Sequence, residues 1–250
     1  MSPVLTLFAF AFWAWMIYDC SKHERDRTTW FLIIVLLNLL GSAVYFIVRW
    51  LPRSSPFVNR FVMRDKHQQS LQRAILDARN IGKPYQFVQL GHAYMEIGDR
   101  SHALAAYGQA LIKDADCIEA LWGAALIELD SEQLERSRDL LQRLIALQPD
   151  YRFGEASLCY GRVLYALSEL ELAQQHCEWH LRQWSHPEAS LMKAKLQKHQ
   201  GNLAAARETL ENMIAAVTAS PAFYRRQHKC FVNEAQRLLA SLVNSQPLTL

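Results

Sequence analysis

No Cys-x-x-Cys pair occurs in these 250 residues, and the five cysteines (Cys20, Cys117, Cys159, Cys177 and Cys230) are odd in number and widely spaced. That excludes a disulfide framework and a zinc knuckle, and reads as free thiols in a reducing compartment. There is no phosphate-binding loop, no dinucleotide-binding fingerprint and no Gly-x-Ser-x-Gly elbow. The nine glycines are explained as turns or close contacts. No catalytic residue, metal or cofactor is therefore expected, and the chain is not read as an enzyme. The charge excess is small and local. Residues 1–66 hold eight Lys/Arg against four Asp/Glu, and residues 67–250 hold nineteen against twenty. So balanced a main part carries no nucleic-acid footprint.

Charge is also missing from Trp30 to Val48, a run of 19 residues. As one helix it would be roughly 28 Å long, close to the hydrocarbon thickness of a bilayer. Trp30 and Trp50 flank it as interfacial aromatics would. A shorter apolar stretch, Val4 to Tyr18, either spans with local thinning or lies partly re-entrant. The reading is a transmembrane hairpin over 1–52. Asn38 and Gly41 are read as residues that let its two helices approach. Arg49, Arg53, Arg60, Arg64 and Lys66 lie on the C-terminal flank, which the positive-inside rule puts in the cytoplasm. The expectation is an integral membrane protein with two spans, the rest of the chain on the cytoplasmic face of a bacterial cytoplasmic membrane.

The Trp-rich first segment, Asp19, the charged loop, Trp30, the Leu/Ile/Val run, Gly41, Tyr45 and Arg49 resemble the short N-terminal domain of cardiolipin synthases and other phospholipase D-type proteins. The His-x-Lys signature of those enzymes is absent, so the resemblance implies an anchor alone. From 53 to 83 the chain reads as a basic juxtamembrane linker and a lead-in helix. Arg53, Phe57, Arg60, Phe61 and Arg64 form either a lipid-surface stretch or an ordinary linker.

Periodicity takes over at Pro84. Lys83 to Asp116 reads as two amphipathic helices across a Gly-Asp turn. Leu90, Gly91 and Tyr94 lie on the first, and Ala103, Tyr107 and Ala110 on the second. This pattern resembles the tetratricopeptide repeat (TPR), a unit of about 34 residues that cannot bury its apolar face alone. Further units begin at Ile118, Gly154 and Pro187, so the spacings are 34, 36 and 33 residues. Glu128 departs from the pattern, where an aromatic is usual. Pro221 opens a last element whose apolar stripe, from Tyr224 to Leu242, suits a capping helix. The expected fold class is all-α: the hairpin, a right-handed α-solenoid of about four units over 84–220, and a capping helix and tail over 221–250.

In a repeat stack the first helices line the groove. Here they offer Tyr85, Val88, His92 and Met95, then Trp122 and Leu126, then Leu158, Arg162 and Tyr165, then Leu191, Lys195 and Lys198. Members of the family that bind chaperone tails clamp a carboxylate with Asn, and no Asn occurs in these helices. The groove suits a protein partner: an extended or helical segment with apolar anchors and an acidic end. His176 and His180, with Cys177 between them, have metal-ligand spacing, yet no further ligand pair accompanies them. The resulting function is a membrane-tethered scaffold assisting assembly of a membrane complex. The alternative is a non-catalytic regulator of phospholipid synthesis.

Overall fold

A computed structural model describes the backbone of residues 3–23, 27–50 and 56–243, with side chains over 6–22, 29–37, 40–48 and 66–242. It divides into two compact units, 1–72 and 73–250.

The first unit holds α1 (Pro3–His23), α2 (Arg27–Leu36) and α3 (Asn38–Tyr45), the last running into a π turn at Phe46–Trp50. The uncharged run does not form one helix. It breaks at Leu37 (φ −97, ψ 1), and α3 folds back on α2. Gly41 permits this, because a Cβ there would fall 2.2 Å from the Ile33 carbonyl oxygen. Its close approach is thus to α2, not to the first segment. Helices of ten and eight residues are roughly 15 and 12 Å long, about half of what a bilayer core requires. α1 is longer, but it ends in the polar stretch Asp19 to His23. No helix among the described residues is long and apolar enough to cross a membrane. This overturns the two-span hairpin and the integral-membrane localisation, and the bilayer as a partner is left without support. The cytoplasmic orientation read from the basic flanks loses its basis with them. Met16, Cys20, Ile34 and Tyr45 are fully buried and form the core of this unit. The Tyr45 hydroxyl bonds the buried Asp19 carboxylate at 2.9 Å, which satisfies a polar pair inside that core.

After Pro56 a single helix, α4 (Pro56–Asn80), replaces the expected linker and separate lead-in helix. Arg53 lies outside the described residues. Phe57, Arg60, Phe61 and Arg64 lie on α4, with side chains outside the described set.

Four antiparallel helix pairs follow. They are α5 (Pro84–Ile97) with α6 (Arg100–Lys113), α7 (Ile118–Asp130) with α8 (Leu134–Leu147), α9 (Glu155–Ala166) with α10 (Leu170–Gln183), and α11 (Pro187–His199) with α12 (Leu203–Ala219). Within each pair the turn passes through one left-handed residue: Gly98, Glu132, Ser168 and Gly201. Those positions are 34, 36 and 33 residues apart, the period of the sequence pattern. At the first turn the amides of Gly98 and Asp99 bond back to Met95 and Tyr94, closing α5, and the Asp99 carboxylate caps α6. The extra residues before the third pair form the turn Tyr151–Gly154, in which Arg152 and Phe153 are also left-handed.

Small residues set how near the helices come. Tyr107, 1% exposed, lies between Gly91 of α5 and Gly123 of α7. Ser137 takes the small position of the second pair and donates to the Ala125 carbonyl at 2.9 Å. Along the turn edge, Arg100 meets Asp130 at 3.0 Å, Arg138 meets Glu169 at 2.7 Å, and Gln200 donates to Gln174, each tying one pair to the next. The expected capping helix is two helices, α13 (Ala222–Gln227) and α14 (Lys229–Val243), parted at His228. α14 packs on α12 and α11, where the first helix of a fifth pair would lie. Ala235 and Leu242 are buried there, and Asn233, Gln236 and Arg237 are exposed.

Candidate functional site

First helices of neighbouring pairs touch each other at α5–α7, at α9–α11 and again at α11–α14, whereas second helices of neighbouring pairs have few contacts. The first helices therefore line the inner side of the stack. On that side α9, α11 and α14 enclose a pocket of about 240 Å³. Its α11 side is the stripe Glu188, Leu191, Met192 and Lys195, at the i, i+3, i+4, i+7 spacing that puts side chains on one helix face, with Leu191 and Met192 as the apolar floor and Glu188 and Lys195 at the rim. Tyr165 of α9 and Phe231 of α14 form aromatic walls, and Arg162 and Glu234 complete the rim.

The rim charges are paired within the chain. Arg162 meets Glu188 at 3.6 Å, joining α9 to α11, and Lys195 meets Glu234 at 2.7 Å, joining α11 to α14. Lys198 donates to the Ser241 hydroxyl at 3.0 Å. All three cations expected to receive an acidic end thus already have internal partners.

Of the anticipated groove residues, the pocket gathers Arg162, Tyr165, Leu191 and Lys195. Tyr85, His92 and Met95 are exposed at the other end of the stack, apart from this pocket, and His92 meets the Tyr107 ring edge-on at 5.8 Å. Val88 and Trp122 are buried between helices, and Leu126 and Leu158 are half-buried. Trp122 is covered by Tyr151 and by the Arg152 guanidinium, 5.7 Å above its ring. Glu188, Met192, Phe231 and Glu234 were not anticipated. The first two share the α11 stripe with Leu191 and Lys195, so helical spacing alone carries that signal. Phe231 and Glu234 join only because α14 takes the place of a fifth first helix.

Burial between the helices holds two thiols and a phenol in their neutral forms. Burial raises the Cys159 thiol and pushes Cys177 up to about 12, so both stay protonated at neutral pH. Tyr107 is likewise raised to about 12, by burial first and then by Glu119 and Tyr151. Ser157 bonds His180 at 2.8 Å in the manner of a nucleophile and base, but both are buried beyond the reach of a substrate. Among the described residues, no group of three or more His, Cys, Asp or Glu side chains forms a metal site.

The tetratricopeptide repeat family model matches residues 88–152. The stack is an all-α, TPR-like solenoid. No curated protein sequence matches the chain. Among solved structures it is similar to MamA (residues 41 to the end) from Desulfovibrio magneticus RS-1. The TM-score is 0.56 at 16% identity, covering 66% of this chain and 93% of that one. It is also similar to YrrB, described as a TPR protein with an unusual peptide-binding site. There the TM-score is 0.52 at 18% identity, covering 72% of this chain and 94% of YrrB. At these identities the likeness concerns the fold. TPR scaffolds of this kind are typically non-catalytic.

Proposed function

We propose that this TPR solenoid is a protein-interaction scaffold whose inner face takes a peptide or helical segment, with the pocket between α9, α11 and α14 receiving an apolar anchor. The observation that carries this reading is the pocket itself: an apolar floor and two aromatic walls beneath a rim whose charges are mutually neutralised. Small apolar sites with a few oriented polar groups at the rim suit side-chain anchors. Since Arg162, Lys195 and Lys198 are engaged internally, the anchor and not an acidic end supplies most of the affinity. Tyr85, His92 and Met95 extend the proposed contact surface toward the first pair. The peptide-binding description of YrrB supports the same use of the fold. We propose residues 84–220 as the interaction domain and 221–250 as the cap and tail, with Phe231 and Glu234 of the cap also building the pocket. The divisions at 1–52 and 53–83 stand as further proposals. The phospholipid-regulator alternative depends on a spanning anchor, and no observation favours it.

Selection from a displayed random peptide library tests the reading. Tyr165→Ala and Glu234→Trp both alter exposed positions, the first removing a wall and the second filling the pocket from its rim. Enrichment of peptides with a bulky apolar residue, and at least tenfold weaker binding to both variants, is the expected result. Peptides that bind wild type and variants equally would place binding elsewhere, and no enrichment at all would end the proposal.

A further inference from the structure

Four polar side chains that the binding role leaves unused form a hydrogen-bonded chain at the seam between the third and fourth pairs. His176 Nε2 lies 2.8 Å from the Ser157 carbonyl oxygen and 3.1 Å from its hydroxyl. The same hydroxyl is 2.8 Å from His180 Nδ1, and His180 Nε2 is 2.9 Å from His186 Nδ1. Ser157 is on α9, His176 and His180 on α10, and His186 immediately precedes α11. A carbonyl oxygen only accepts, so His176 must carry its proton on Nε2. Its N–H then also points at the Ser157 hydroxyl, which donates onward to His180 Nδ1. Neutral His180 therefore holds its proton on Nε2 and donates to His186 Nδ1. One backbone carbonyl thus fixes the tautomer of all three rings.

We infer that the His180–His186 hydrogen bond is an acid-labile joint between the third and fourth helix pairs, and that opening it reshapes the pocket, the last clause resting on the proposed binding role. A proton added to His186 goes on Nδ1 and faces the His180 N–H, two donors at 2.9 Å. A proton added to His180 goes on Nδ1 and faces the Ser157 hydroxyl, whose own hydrogen must then turn toward the His176 N–H. Protonation of His186 therefore opens the His180–His186 bond itself, whereas protonation of His180 leaves that bond in place and breaks the link to Ser157.

The surrounding charges come from every packed element. On His180 a positive charge is opposed by burial first, then by His186 and His176, which hold it down to about 4. Burial also lowers His176, against the favourable bond to the Ser157 backbone. His186 is lowered by burial and by His228 at the end of α13, while Glu188 of α11 and Glu155 of α9 favour its charge. Tyr224 of α13 packs tilted against His228, ring centroids 4.2 Å apart, and donates to the Ser185 carbonyl at 3.4 Å, so the cap meets the same seam. The pocket straddles this seam, with Arg162 and Tyr165 on α9 and the floor on α11.

Nitrogen-15 spectra of the histidines in the full chain read the tautomers directly. At pH 7.5 the Nε2–H form is expected for His176, His180 and His186. A tryptophan fluorescence titration then follows the joint, since the Trp184 ring is 5.0 Å from that of His180. In His186→Asn an amide oxygen can accept in place of Nδ1 without titrating. Wild type should show an acid transition between about pH 6.5 and 4, moved down by at least half a pH unit in His186→Asn. An Nδ1–H tautomer on His180, or equal midpoints, would overturn the joint. The wild-type spectra decide even if the variant folds poorly. The link to the pocket is read separately, with a peptide selected at pH 7.5. Weaker binding at pH 5 in wild type but not in His186→Asn supports it, and unchanged binding overturns that link alone. A failed peptide selection at pH 7.5 would count against the scaffold reading and leave the joint standing.

Discussion

The Tyr107 ring lies directly against Gly91: a Cβ at that glycine would fall 2.4 Å from Tyr107 Cε1. On the opposite side a Cβ at Gly123 would come within 2.5 Å of Tyr107 Cζ. One aromatic side chain of α6 thus sets the spacing of two first helices, and it is buried where it cannot swing away.

Gly91→Ala and Gly123→Ala should each destabilise the second unit by about 1–3 kcal/mol, the usual range for overpacking a filled core. The urea midpoint reads this. Adding Tyr107→Leu to Gly91→Ala should recover part of the loss, because the clash partner shrinks while the apolar contact remains. An unchanged midpoint in Gly91→Ala would mean that the ring is not held as described.

Glu132 and Ser168 occupy left-handed turn positions that glycine fills in the first and fourth pairs, with φ of 59° and 60°. A side chain there costs roughly 1–2 kcal/mol, against which glycine adds about 0.4–1 kcal/mol of unfolded-state entropy. Glu132→Gly and Ser168→Gly are therefore expected to raise thermal stability modestly. Ser168→Val should lower it, since a β-branched residue tolerates that backbone least. The reverse order in a melting series would contradict the turn geometry.

Lys195 and Glu234 tie α14 to the fourth pair through side chains about a third to a half exposed, so the pair is worth less than about 1 kcal/mol. Its effect is local. Lys195→Glu puts two carboxylates together, and amides of α14 should exchange faster, while Lys195→Glu with Glu234→Lys should return them toward wild type. Equal exchange in all three proteins would mean that α14 is held by its other contacts, the apolar packing of Ala235 and Leu242 and the Lys198–Ser241 bond among them.

Acid should weaken the second unit before it affects the carboxylates generally. His180 titrates at about 4 when folded and near 6.5 when free, so between these values the unfolded chain binds more protons. Stability is full above about pH 6.5 and is lost as pH falls toward 4. Melting temperatures at pH 7 and pH 5 check this, and His180→Asn should reduce the difference between them.

Much of the repeat architecture was legible in the residues. Gly91 and Ala103 marked the close helix contact, and Gly98 and Gly201 marked two of the four turns. The other two turns carry Glu and Ser, which give no local sign of a left-handed backbone, yet the period placed them. The pocket was half legible. Leu191 and Lys195 lie on a face set by helical spacing, but Phe231 and Glu234 come from a helix whose docking position no spacing rule specifies.

The sequence by itself determined the units and their period, because a helix needs only the order of its apolar and small residues, and a turn only a few neighbours. Tertiary structure decided the rest. An uncharged run of 19 residues has the same composition whether it stays one helix or folds back at Leu37, so its length predicted a span that the backbone does not make. Lys198 found its partner 43 residues away in Ser241, and Ser157 found His180 at a distance of 23 residues. Hydrogen-bond and charge partners are chosen by packing, and only once the helices are stacked do those distances become contacts.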